Sequence, residues 1–363
     1  MTRTVKLGLV GTGLTAELLY LPAWKRLADR IEVVACTNRT RSKAVRFAKI
    51  AGIATVVDTA EELFALPEVE KVVISTPIEY LPRYVLAGLA ASKAVLSEKP
   101  IAATPAEARK LIKAAAEYSH PWMVGENLAF VSHAHKLKAW IDAGRLGDIR
   151  FAEVRQLEWM GPKVPFFNTD WRAAPSYPGG FITDGGVHIA NVVRRCMGDP
   201  VTVKSILGSF NPVLRPFDTA VAALQFESGA LGTWTSCFTA HGDWPWLRVF
   251  GSKANAEWRR NDVTLTTGER QDHQVRESRG WIHCRVPTLR RRCCQGCAAT
   301  AVAGREPRRS ASDRAHPAEP LAQDCSSRYS PAAASMLTVP CSTFVGYVFR
   351  LTLMGAPLPS PVR

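Results

Sequence analysis

Val5-Lys6-Leu7-Gly8-Leu9-Val10 runs directly into Gly11-Thr12-Gly13-Leu14-Thr15-Ala16, and the junction between these two stretches sets the fold. The first is a short apolar run, the pattern of a strand buried on both faces of a parallel sheet. The second reads GxGxxA. Gly11 permits the tight turn, Gly13 lets the backbone approach a pyrophosphate, and Ala16 allows close helix–strand packing. A helix-like stretch from Leu14 to Leu27 follows, which is the context the motif needs. The N–H groups and dipole at such a helix start favour an anion. A glycine turn without a ligand is the alternative.

Working outward, strand and helix signals alternate through residue 125. Strand patterns at Ile31–Cys36, Val72–Ser75 and Ala94–Ser97 are interleaved with helix patterns at Ser42–Ala51, Tyr84–Ala91 and from Thr104-Pro105 onward. This alternation predicts a doubly wound, Rossmann-type parallel sheet over residues 1–125. From Trp122 the rhythm changes. Helices near His133–Ala143 and Thr183–Met197 accompany strand patterns at Ile149–Leu157, Val203–Gly208, Val221–Phe226, Leu231–Phe238, Leu247–Gly251 and Val263–Thr266. Short Gly-containing turns such as Glu227-Ser228-Gly229 favour antiparallel pairing. Residues 126–270 therefore read as an α+β domain with a mostly antiparallel sheet.

Residues 271–363 differ in composition. The chain has 363 residues and a formal charge of +14. Half of that excess lies in this last quarter, which has 13 Arg, 6 Asp+Glu and no Lys. Six of the nine cysteines also fall after residue 280, leaving Cys36, Cys196 and Cys237 in the body. The tail is rich in Arg, Cys, Pro, Ser and Ala without helical or strand periodicity, the appearance of an irregular, disordered or out-of-frame reading. The uneven cysteines do not form a disulfide framework.

With 47% hydrophobic and 21% charged residues, the whole is of ordinary globular composition. No apolar run reaches the roughly 18 residues of a membrane span. Met1–Lys6 lacks the layout of a signal peptide. The expectation is a cytoplasmic protein without membrane partners.

At the exit of the second strand, Thr37-Asn38-Arg39-Thr40-Arg41 carries no carboxylate. An acid there would bond a ribose 2′-hydroxyl, whereas a 2′-phosphate needs cations. Arg39 can stack on adenine or bond the phosphate, and Arg41 can assist; solvated helix-start arginines are the alternative. NADP is expected over NAD. The predicted cofactor contacts are Gly11, Thr12, Gly13, Leu14, Asn38, Arg39, Arg41, Ser75, Thr76, Pro77, Glu98 and Lys99.

Three further blocks carry a family resemblance. They are Ser97-Glu98-Lys99-Pro100 after the fifth strand, Lys138–Ile149, and Gly179-Gly180-Phe181-Ile182-Thr183-Asp184-Gly185-Gly186-Val187-His188. Together they resemble the glucose-fructose oxidoreductase/inositol dehydrogenase (Gfo/Idh/MocA) family over residues 4–270, and Trp171–His188 is most similar to a fungal NADPH-dependent branch. The resemblance implies that Lys99, Asp184 and His188 line the nicotinamide and substrate. The residues agree with that role: positions four apart share a helix face, so Asp184 could orient the His188 imidazole while His188 exchanges a proton. Lys99 would polarise a carbonyl, and Gly185 and Gly186 would leave space for a ring. A helix-capping Asp and a core His are the alternatives.

The chain departs from the family pattern at Ile78 and Leu81, where Asn and His are common, and at Asn191, where Asp is common. Asn127, Trp171 and Arg172 are candidate substrate contacts; a core tryptophan and a surface ion pair are equally open for the last two. The resemblance also implies a homo-oligomer through the open face of the second sheet.

No metal is expected. His133 and His135 face different sides of a helix, and Cys293-Cys294-Gln295-Gly296-Cys297 with His283 and Cys284 lacks a second spaced pair. The Arg290–Arg292 and Arg308–Arg309 runs have no interleaved aromatics, so no specific nucleic acid is expected. The reading is an NADP-dependent oxidoreductase moving a hydride between nicotinamide and a carbinol or carbonyl carbon of a small sugar, polyol, diol or aldehyde. A non-catalytic NAD(P)-sensing regulator, or a homologue with a disrupted C-terminus, stands as the alternative.

Overall fold

The computed structural model describes residues 4–173, 175, 177–242, 246–259, 262–267 and 270–274. Six strands form an all-parallel sheet: β1 (Val5–Val10), β2 (Ile31–Thr37), β3 (Thr55–Val56), β4 (Lys71–Ile74), β5 (Ala94–Ser97) and β6 (Trp122–Val124). Their order is β3-β2-β1-β4-β5-β6. The chain leaves β1 toward one edge and returns to β4 on its other side, so the order reverses between β1 and β4. That reversal opens a crevice at the carboxyl ends of the strands.

The connecting helices are α1 (Leu21–Arg26, preceded by a π-helical turn at Ala16–Tyr20), α2 (Arg41–Ala51), α3 (Ala60–Ala65), α4 (Leu81–Ala90) and α5 (Pro105–Ala115). Local chemistry fixes their ends. In α5, Thr104 and Glu107 form a reciprocal capping box with Pro105 in the first turn, satisfying two N–H groups that have no partner within the helix. The β3, α3 and β6 segments were not singled out by pattern. At two to six residues each, they are too short to show a period.

A short 3₁₀ turn (Asn127–Phe130) leads into α6 (Ser132–Asp142), followed by β7 (Ile149–Leu157), α7 (Asp170–Ala173) and α8 (Gly180–Met197). The rest is sheet: β8 (Pro200–Gly208), β9 (Thr219–Phe226), β10 (Leu231–Cys237), β11 (Trp246–Gly251), β12 (Asn255–Arg259), β13 (Asp262–Thr267) and β14 (Arg270–Gln274). The order is β14-β13-β12-β11-β7-β10-β9-β8. All neighbours run antiparallel except β7 and β10. The alternation expected of β9 is complete: Ala220, Ala222, Leu224 and Phe226 point inward while Val221, Ala223 and Gln225 face out. β12 escaped the sequence reading because just Ala256 and Trp258 mark its inner face. β14 carries the sheet past residue 270, the boundary expected from pattern.

α6 and α8 cover one face of this sheet. Leu137 and Trp140 of α6 and Ile189, Ala190 and Val193 of α8 share a core with Val154, Leu224, Trp234, Val249 and Trp258. Burying a side chain of this size contributes about 1.5–3 kcal/mol, so α8 is held firmly. Among the described residues the opposite face is open: Ile206 pairs across from Val221, and Val221 from Thr235. Ile206, Val221 and Leu231 are exposed there.

The Cys293–Cys297 cluster, the arginine runs and all but the first four residues of the 271–363 tail lie outside the described residues. Among the described residues no helix is long and apolar enough to cross a membrane, and no group of three or more His, Cys, Asp or Glu could hold a metal ion.

Candidate active site

The loop after β1 has the geometry its glycines predicted. Gly11 has φ +95°, and a Cβ there would lie 2.1 Å from the Ser75 carbonyl oxygen, so the β1 and β4 loops pass in close contact. Apart from its chain neighbours and local helix backbone, no heavy atom of the described residues lies within 4 Å of where a Cβ of Gly13 would be. The hydroxyls of Thr12 and Thr76 are buried without a partner among the described residues. Open space above Gly13 and unmet polar atoms on both sides of the switch point fit a bound diphosphate.

Beyond this loop, Asn38 is half-buried and Arg39 exposed at the β2 exit. Arg39 donates to the Tyr80 hydroxyl at 2.7 Å and lies 5.0 Å from the Tyr80 ring centroid. It thus bridges the exits of β2 and β4. Arg41 turns instead to Asp58, which already supplies its counter-charge.

Glu98, Lys99 and Pro100 follow β5. Glu98 is buried and accepts a 2.8 Å hydrogen bond from the Tyr20 hydroxyl, which ties this loop to the π-helical turn. Its other oxygen accepts from the Lys99 backbone N–H at 3.3 Å. Glu98 therefore braces the loop. Lys99 reaches α8, where Nζ donates to the Asp184 backbone carbonyl at 2.8 Å and to Asp184 Oδ1 at 2.9 Å. Arg172 Nε donates to Asp184 Oδ2 at 2.6 Å.

The Asp184 side chain is 5% exposed, so it is a buried anion held between two cations. Burial alone would raise its pKa, but Lys99 and Arg172 overcome this and hold the carboxyl well below the usual carboxylate range. The same burial, with Asp184 nearby, pushes the neighbouring Tyr177 phenol up. The Arg172 guanidinium lies 4.0 Å from the Trp171 ring centroid and 5.3 Å from that of Phe166. Arg172 is thus in a buried ion pair against aromatic faces, not a surface one.

Two expectations are corrected here. Asp184 does not orient His188, because both its oxygens are taken by Lys99 and Arg172. His188 Nδ1 instead lies 2.7 Å from Glu126 Oε1, a residue the sequence reading passed over for its neighbour Asn127. The signal was a carboxylate among apolar residues at the carboxyl end of a parallel strand. Nor does Gly185 leave space for a ligand ring: a Cβ there would lie 2.8 Å from Phe238. That space holds the Phe238 ring, edge-on to Phe181 at 4.7 Å.

Asn127 lies on the 3₁₀ turn against α8, with its Oδ1 buried and unpartnered among the described residues, as is that of Asn191. Ile78 and Leu81 are buried apolar residues, so these two positions belong to the core.

A dinucleotide-binding sheet whose crevice adjoins a Lys–Asp–Arg cluster and a histidine defines a pyridine-nucleotide oxidoreductase. The comparisons agree. Residues 5–126 match the oxidoreductase family with an NAD-binding Rossmann fold, and residues 134–257 match the GFO/IDH/MocA C-terminal domain. The chain belongs to the Gfo/Idh/MocA family and is an NAD(P)-dependent oxidoreductase.

It is 28% identical over 295 residues to an uncharacterized protein of Saccharomyces cerevisiae, covering 76% of this chain and 78% of that one. It is also 28% identical over 238 residues to the trans-1,2-dihydrobenzene-1,2-diol dehydrogenase of Bos taurus, covering 65% and 67%. An oxidoreductase structure from Thermotoga maritima superposes with a TM-score of 0.71 at 29% identity, covering 76% and 84%. An Agrobacterium radiobacter oxidoreductase in complex with NAD+, L-tartaric acid and magnesium shares the fold at a TM-score of 0.69 and 19% identity, covering 78% and 84%.

Proposed function

We propose that this protein is an NADP-preferring oxidoreductase acting on a carbinol or carbonyl carbon of a small sugar, polyol, diol or aldehyde. The observation that carries this reading is the cluster of Lys99, Asp184, Arg172 and His188, which joins the β5 exit of the nucleotide-binding sheet to α8. Nicotinamide, when bound, supplies or accepts the hydride.

The chain's own residues do the rest. Lys99, stationed by Asp184, presents an ammonium that stabilises negative charge developing on the substrate oxygen. His188 gives that oxygen a proton in reduction and removes one in oxidation. Trp171 and Phe166, already against the Arg172 guanidinium, offer an aromatic wall. Among relatives, a dihydrobenzenediol dehydrogenase and a 1,5-anhydro-D-fructose reductase of Ensifer adhaerens (28% identical, covering 64% of this chain and 69% of that one) support a diol or cyclic-sugar substrate.

The preference for NADP rests on Arg39 and the missing carboxylate at the β2 exit, with Arg41 diverted to Asp58. Titration with NADPH and NADH, read by tryptophan quenching, tests it. Charged hydrogen bonds contribute about 1.5–3 kcal/mol, so Arg39→Ala should weaken NADPH binding by about 10- to 150-fold and leave NADH nearly unchanged. Lys99→Ala and His188→Ala should keep NADPH binding and lower turnover by about 10²–10⁴. Unchanged turnover in both would refute the catalytic assignment, and absence of binding to either nucleotide would favour a homologue that has lost the activity.

The open sheet face with Ile206, Val221 and Leu231 supports assembly into a homo-oligomer, to be read from sedimentation velocity of wild type and Val221→Glu. The free thiols of Cys36, Cys196 and Cys237 support residence in the reducing cytoplasm, which cell fractionation would check.

A further inference from the structure

We propose that Glu126 is the positioning residue for His188, fixing the imidazole with its proton on Nδ1 and leaving Nε2 to exchange a proton with substrate. The inference deepens the reading of His188 as acid and base and rests on it, but the geometry stands by itself. Glu126 Oε1 is 2.7 Å from His188 Nδ1 and also accepts the Leu128 backbone N–H at 3.1 Å. Glu126 caps the 3₁₀ turn at Asn127–Phe130, and that turn packs on α8. The backbone N–H and the ring therefore converge on one oxygen of Glu126, Oε1, while its Oε2 is buried without a partner among the described residues. Its side chain is 8% exposed and that of His188 is 23%, so the acid is sealed while the ring keeps access to the cleft.

The tautomer follows from the chemistry of the acceptor. An ionised carboxylate has no proton to donate, so the nitrogen facing it must be the donor. Burial favours a neutral Glu126, but the charges of His188 and Lys99, with the Leu128 N–H, outweigh it and keep the carboxyl below its ordinary value. In neutral His188 the lone pair is then on Nε2. When a carbonyl is reduced, the hydride goes to carbon and the Nε2 proton of the imidazolium goes to oxygen. The product is an alcohol and a neutral ring still bonded to Glu126, which regains its proton from solvent. Oxidation runs the same steps in reverse.

Both oxygens of Asp184 go to Lys99 and Arg172, so Glu126 is the carboxylate that faces the ring.

The test is an NMR titration of the full chain labelled with ¹⁵N-histidine, with His188 assigned by its disappearance in His188→Asn. In wild type the neutral ring should carry its proton on Nδ1. In Glu126→Gln the preference for the Nδ1–H tautomer should be lost, because an amide can donate to the ring as well as accept from it, while Glu126→Asp should retain it in part. In kinetics, Glu126→Gln should lower kcat by up to about 10⁴ and leave KM nearly unchanged. In a His188→Asn background, Glu126→Gln should have no further effect on kcat.

An Nε2–H tautomer in wild type would overturn the proposal even if Glu126→Gln failed to fold. An unchanged Nδ1–H preference and kcat in a folded Glu126→Gln protein would do the same. A lost tautomer preference in an enzyme whose rate ignores His188 would uphold the pairing and refute the catalytic role of the ring instead.

Discussion

Replacing Asp184 by asparagine removes one negative charge from between two buried cations while nearly preserving the side chain's shape. In the native protein Oδ1 faces Lys99 Nζ at 2.9 Å and Oδ2 faces Arg172 Nε at 2.6 Å. The three side chains are 5–13% exposed, so water can do little to compensate. Removing one partner of a buried ion pair costs about 3–5 kcal/mol, because a charge is left uncompensated. At about 2–4 °C per kcal/mol for a chain of this order, Asp184→Asn should melt about 6–20 °C below wild type.

The sign with pH is also fixed. The folded pKa of Asp184 lies below its unfolded value. Its contribution is therefore complete above the ordinary carboxylate range and is lost as pH falls through and below it. Thermal melts by circular dichroism between pH 3 and pH 8 should show this acid loss in wild type and a reduced one in the variant. Lys99→Met adds a second check, since it removes a favourable partner in wild type but relieves cation repulsion in the Asp184→Asn background. Its effect on melting temperature should change sign between the two. An Asp184→Asn variant melting within about 2 °C of wild type, or a Lys99→Met effect equal in both backgrounds, would refute the account of a buried triad.

Two further outcomes follow from the same structure. Glu158 is pushed up from 4.5 to about 7 by burial, so its ionisation should cost the folded state about 3 kcal/mol by the time pH exceeds that value. Stability should therefore decline between about pH 4.5 and 7. Glu158→Gln should remove that slope in denaturant titrations, and an unchanged slope would count against the burial argument. Gly11→Ala should lose nucleotide binding and about 1–3 kcal/mol or more of stability. The added methyl would meet the Ser75 carbonyl at 2.1 Å in a left-handed backbone conformation; full retention of NADPH affinity would show that the loop can relax.

Much of the fold was legible because it depends on local pattern. Leu7, Leu9 and Val10 followed by Gly11 and Gly13 describe a buried strand and a tight turn wherever they occur. The alternation of β9 and the Thr104-Pro105 helix start needed no distant partner either. The pieces that escaped, β3, α3, β6, α7, β12 and β14, are segments of two to six residues, too short for a pattern to stand out, and neighbouring elements set them in place.

The site divides along the same line. Lys99, Asp184 and His188 were identifiable as residues, because the Glu-Lys-Pro block and the spacing of four are properties of the chain itself. Their pairing was not. The helix places Asp184 and His188 on one face, yet Lys99 and Arg172, 85 and 12 residues away from Asp184 in sequence, take both its oxygens. Glu126, 62 residues from His188, takes the imidazole.

Sequence by itself determined the doubly wound sheet, the glycine turn after β1 and the candidate site residues Lys99, Asp184 and His188. Only the tertiary structure decided which carboxylate serves which cation. In a buried site, each anion goes to the positive groups that packing brings within about 3 Å, and packing joins residues that chain spacing does not.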